Sequence, residues 1–93
     1  MKDVTIRFYH RDDKGKLHDD SEDFGLEDFG GVVPAIGDKI LRAGVPSGLD
    51  RNVVSNREIT TVTDRYFNPR DNADYIALVV STRAATPEEV DLI

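Results

Sequence analysis

Apolar and polar positions alternate from the start of the chain, with Val4, Ile6 and Phe8 interleaved by Thr5, Arg7 and Tyr9. A two-residue period turns successive side chains to opposite faces, so it predicts a strand over residues 3–10 with one buried side. The polar run Asp12-Asp13-Lys14-Gly15-Lys16 turns the chain, and Leu17 restarts a short pairing. Beyond it the apolar alternation lapses. Residues 18–36 hold six acids and three glycines, including the echo Glu22-Asp23-Phe24-Gly25 and Glu27-Asp28-Phe29-Gly30. The expectation is an irregular acidic loop pinned by Phe24, Leu26 and Phe29, whose apolar side chains complete a core.

Pro34 disfavours helix at Val33, and Gly37-Asp38 makes a turn that starts a strand over Lys39–Ala43. The Gly- and Pro-bearing stretch 44–50 reads as a projecting loop. Residues 53–67 are rich in β-branched and aromatic types. Within them Ile59 and Val62 lie on opposite parities, which predicts a bulge near Thr60-Thr61 if both are buried. Asn68-Pro69-Arg70-Asp71-Asn72 is a turn, followed by the most apolar run, Asp74 to Thr82. Both parities of that run are apolar, the mark of a central strand. Thr86-Pro87-Glu88-Glu89 reads as N-cap, first-turn proline and capping-box glutamate, opening a short helix over 86–93 that needs Val90 and Ile93 to dock.

These elements predict a mainly β fold: a small SH3-like or similar partly open β-barrel of four to five strands, with a long acidic loop and a short C-terminal helical turn. Ninety-three residues form one domain, 1–93. A partly open barrel exposes strand edges, and Val4–Tyr9 is the candidate edge.

The formal charge of −6 is uneven: the first 37 residues carry five Lys/Arg against nine Asp/Glu, and the last ten carry none against three. A negative field repels phosphate backbones and makes nucleic acid an unlikely partner. The chain has no cysteine, so neither disulfides nor thiolate metal sites are available. Its N-terminus lacks the apolar run of a signal peptide, and no stretch approaches the roughly 20 apolar residues that span a bilayer. The expectation is a cytoplasmic protein without a membrane segment.

Chemistry-bearing residues are sparse. The acids of residues 19–28 do not fit the calcium-loop frame, which needs alternating ligands, a central glycine and a twelfth-position glutamate. Both histidines, His10 and His18, lie in the first eighteen residues, without a metal-ligand spacing or a nucleophile turn. No catalytic residue, metal ligand or cofactor is assigned, and no enzymatic activity is expected. The candidate binding residues are Arg57, Arg65, Tyr66, Arg70, Tyr75 and Arg83, because arginines interleaved with aromatics make binding hot spots. The bland alternative pairs these arginines with Glu58, Asp64 and Asp74 across strands. The reading that follows is a non-enzymatic interaction or adaptor module with a protein partner, or self-associating as a homodimer. Two alternatives remain: a barrel associated with single-stranded nucleic acid, and a small ligand-binding domain or hydrolase closed by residues 18–31.

Overall fold

A computed structural model of the chain describes residues 3–42, 45 and 47–92. Five strands make one sheet: β1 (Thr5–Arg11), β2 (Leu17–Gly25), β3 (Lys39–Leu41), β4 (Glu58–Asn68) and β5 (Asn72–Ala84). Their order is β2-β1-β5-β4-β3. β1 and β5 run parallel, and the other neighbours are antiparallel. The mainly β expectation holds, and β5, apolar on both parities, is the middle strand. The sheet does not close into a barrel: β2 and β3 stand at its two edges. Across that gap Arg42, just past β3, reaches Glu22 of β2 in a 2.5 Å ion pair.

The core lies on one face, where the register sets Ile6 beside Ile76 and Phe8 beside Leu78, with Val80 opposite Val62. All six are buried, and each contributes about 1.5–3 kcal/mol through burial. Val4, Phe24, Leu26, Phe29, Val33 and Ile40 pack over them. Phe24 and Phe29 sit 4.7 and 6.4 Å from Phe8, ring centre to ring centre. Their expected part in completing the core is therefore met. Beyond the 3₁₀ turn Leu26–Phe29 the chain reverses through Gly30 and Gly31, at φ of 69° and 86°. Only glycine adopts two such left-handed positions in succession without strain. The returning segment is then pinned to β4, Gly37 N–H donating to Val62 at 2.8 Å and Val62 N–H to Asp38 at 3.0 Å.

Four expectations need correction. The acidic stretch does not begin as an irregular loop, because Leu17–Gly25 is a nine-residue strand paired along β1. Its burial alternates although most of its side chains are polar. Ion pairs take the place of apolar contact: Arg7 holds Asp19 at 2.7 Å and Asp23 at 3.6 Å, and His10 holds Asp20. The register slips between these contacts, with Ser21 at φ 58° and its N–H donated to Asp19 at 2.7 Å. Second, β1 is no edge, since β2 covers one side and β5 the other.

Third, the β4 register runs unbroken through Thr60 and Thr61 and shifts between Val62 and Asp64. The bulge falls at Thr63, whose hydroxyl donates to the Val79 carbonyl at 3.1 Å. Ile59 and Val62 are both buried, on opposite faces of the sheet. Fourth, the C-terminal turn, Pro87–Leu92, is 3₁₀ rather than α-helical. Half of the capping box forms: Thr86 N–H donates to Glu89 Oε1 at 2.8 Å, but the Thr86 hydroxyl donates to that same oxygen at 3.0 Å, and the Glu89 N–H goes to the Thr86 carbonyl at 2.9 Å. Val90 and Leu92 are exposed; Ile93, expected to dock, and Ala43, expected to end β3, lie outside the described residues. No helix among the described residues is long and apolar enough to cross a membrane.

Candidate functional site

The face of the sheet opposite the core collects the chain's three tyrosines. Strand alternation sends Arg7, Tyr9 and Arg11 outward because Ile6 and Phe8 point inward. The parallel register then places Tyr9 beside Val79, Arg7 beside Ala77 and Thr5 beside Tyr75. From β4, Tyr66 arrives opposite Ala77 and Asp64 opposite Val79. Leu17 comes from β2, opposite Arg11. Tyr9, Leu17, Tyr66, Ala77 and Val79 line a shallow, almost wholly apolar depression of about 230 Å³. It stays open to solvent, with Leu17 41% and Tyr66 49% exposed.

Hydrogen bonds brace the rim. The hydroxyls of Tyr9 and Tyr75 meet at 2.5 Å. Burial, and then that bond, push the Tyr75 hydroxyl up to about 12, so it stays protonated and neutral at ordinary pH. Arg11 donates to Gly15 O at 3.0 Å and to the Tyr66 hydroxyl at 3.3 Å, with Asp64 at 3.8 Å. Arg7 is held by Asp19, whose carboxyl is lowered first by the Ser21 N–H and then by this guanidinium. The arginines are therefore oriented by the protein's own carboxylates and carbonyls, and the face is an aromatic and aliphatic surface framed by neutralised charge.

Of the six residues chosen from sequence, only Tyr66 and Tyr75 belong to this cluster. Arg65 lies on the other side of β4, with its guanidinium 5.0 Å from the Phe67 ring centre and its Nε buried without a hydrogen-bond partner among the described residues. Arg57 donates to Arg51 O at 2.9 Å beside the 3₁₀ turn Val54–Asn56. Arg70 is exposed at the β4–β5 turn. Arg83 is gripped by both carboxylate oxygens of Glu89, at 2.8 and 2.7 Å. The expected pairing with Glu58, Asp64 and Asp74 is replaced by these partners, and Asp64 goes to Arg11. Sequence reasoning missed Tyr9, Arg11 and Leu17. Their signal was the outward parity of β1, but only the β1–β5 register shows that they meet Tyr66.

The two histidines face one another across β1 and β2, their rings 5.2 Å apart and stacked within 18°. His18 Nε2 pairs with Asp12 at 2.8 Å, and His10 Nδ1 with Asp20. Among the described residues no three His, Cys, Asp or Glu side chains are grouped to hold a metal ion. No protein-family model, curated protein or solved structure matches the chain.

Proposed function

We propose that the chain is a non-enzymatic interaction module that engages a protein partner through the Tyr9–Tyr66–Tyr75 face. The observation that carries this reading is the convergence of all three tyrosines with Leu17, Ala77 and Val79 on an open sheet face whose polar rim is already braced. Tyrosine offers a large, stiff, amphipathic contact area, which is why it dominates interface hot spots. A second copy of the chain is one such protein partner, giving a homodimer. The single-stranded nucleic-acid reading finds aromatics here too, but Arg7 and Arg11 are engaged by Asp19, Asp23 and Asp64, and the net charge is −6. The lid reading is disfavoured, because the segment it needs is strand β2 and the turn after it, with Phe24 and Phe29 committed to Phe8.

The test compares wild type with Tyr66→Ala, which removes an exposed ring and leaves the core untouched. A protein captured by the wild type, then purified and titrated, should bind the variant about thirtyfold more weakly, the loss of a hot spot worth about 2 kcal/mol. Equal affinity would remove the tyrosine face from the reading. Binding to single-stranded oligonucleotides that falls steeply with salt would favour the nucleic-acid alternative instead.

A further inference from the structure

Among the described residues the middle strand has no neighbour on one side over part of its length. β1 keeps register with β5 from Thr5–Tyr75 through Tyr9–Val79, then continues to Arg11 paired only with β2. β5 runs on to Ala84, paired with β4 alone. The backbone direction there follows from hydrogen bonds on the other side of β4. Val62 exchanges bonds with Gly37 and Asp38, and the Glu58 carbonyl accepts from Arg42 N–H at 3.2 Å, so both residues direct their backbone toward β3. Ile59 and Thr61 must then face β5, where their partners are Arg83 and Ser81. Thr82, between those two, directs its N–H and C=O away from β4, and Ala84 does the same.

Among the described residues no strand is in register with that side. Ser81, Thr82, Arg83 and Ala84 are all exposed. An open cavity of about 520 Å³ lies at the notch, lined by Val79, Val80, Ser81 and Thr82 of β5, by Thr63 at the β4 bulge, and across from them by His10, Arg11 and Asp20.

We propose that this notch accepts an extended peptide segment from another polypeptide as an added strand on β5, a site separate from the tyrosine face. A bare strand edge is recognised by peptide backbone, because only alternating N–H and C=O groups match its own. The notch sets the length. It is closed at one end by the Tyr9–Val79 pairing, and at the other the Ala84 carbonyl accepts from Arg83 Nη1 at 3.1 Å. The gap spans about five residues, or about 17 Å of strand. Its β5 wall, Val79-Val80-Ser81-Thr82, is uncharged and mostly β-branched, which suits an uncharged, β-branched segment of threonine and valine type. A second copy of the chain is the poorer occupant, since two chains of net charge −6 repel.

The experiment is residue-resolved amide exchange on the full chain, alone and with a seven-residue peptide of alternating threonine and valine. In the free chain, Thr82 and Ala84 amides exchange freely while Ser81 and Arg83, bonded to β4, are protected. Saturating peptide should slow Thr82 and Ala84 by about tenfold or more, and the same peptide N-methylated at alternate residues should not. Protection of Thr82 already present in dilute free chain, equal protection by the N-methylated peptide, or no protection by either would each overturn the proposal. Protection that rises with protein concentration in the absence of peptide would overturn the occupant in favour of a second copy.

Discussion

Phe8 is the side chain on which the covering layer depends, and its removal gives the sharpest test of the packing. It is fully buried, with Phe24 at 4.7 Å, Phe29 at 6.4 Å and the Arg42 guanidinium 5.9 Å from its ring centre. A buried phenylalanine truncated to alanine costs about 3–5 kcal/mol, the lost transfer energy plus the cavity left behind. At about 0.05–0.15 kcal/mol per residue, a chain of this length holds about 5–14 kcal/mol in all. Phe8→Ala therefore removes between about a fifth and all of it. At about 4–8 °C per kcal/mol the melting temperature falls by at least 12 °C, or the chain does not fold. Phe8→Leu keeps apolar volume and keeps the measurement readable if the alanine variant is lost. Urea unfolding followed by circular dichroism suits a chain without tryptophan. The double change with Phe24→Ala should reveal a coupling of about 0.5–1.5 kcal/mol, the aromatic pair beyond its area. A loss below about 1 kcal/mol for Phe8→Ala, comparable to an exposed surface change, would refute the covering-layer reasoning.

Three further outcomes are expected. Ile59→Ala and Val62→Ala should each cost about 1–4 kcal/mol in the same unfolding assay, although the two side chains occupy opposite faces; a silent change at either would mean that its face is not packed. The Glu89 carboxyl is drawn down to about 2 by Arg83 and the Thr86 N–H. Its folded value lies below its unfolded one, so its contribution is complete above about pH 4.5 and disappears as pH falls toward 2. Glu89→Gln should flatten the acid side of the stability profile in that window, and an unchanged profile would contradict the pairing. Tyr75, raised to about 12, stays neutral in the fold up to that pH, so its contribution is complete below about pH 10 and is lost as pH climbs toward 12. Tyrosinate absorbance should lose its most alkaline step in Tyr75→Phe, and retention of that step would assign it to another tyrosine.

β1, β4 and β5 were legible because their apolar side chains alternate or run continuously, and hydrophobic periodicity is the signal that sequence carries best. β2 carries the same period in burial but writes it in Asp, His and Glu. Its partners lie on β1, so a reading confined to the segment itself finds only charge. The bulge expected between Ile59 and Val62 is absent, since parity alone cannot distinguish a bulge from a strand buried on both faces; the shift at Thr63 lies beyond both residues and left no apolar signal. At the candidate site Tyr66 and Tyr75 were found through their own strands. Tyr9 was not, because a parallel neighbour so distant in the chain leaves no local trace. The arginines grouped by sequence proximity proved to be dispersed: Arg65 meets Phe67, Arg57 meets Arg51, Arg83 meets Glu89, and Arg70 is exposed at the β4–β5 turn.

The parallel ladder that joins Thr5–Tyr9 to Tyr75–Val79 also sets the order in which this chain can become a protein. The first strand made has to wait for the last one. During synthesis the β1–β2 hairpin emerges with Ile6 and Phe8 exposed and no partner for its second side until β5 follows. Such non-local pairing slows folding, because a long loop must close before any contact rewards it. A two-stranded ribbon is marginal by itself. Charged residues beside an apolar strand are the usual guard against such mispairing, and β2 carries Asp19, Asp20, Glu22 and Asp23 there.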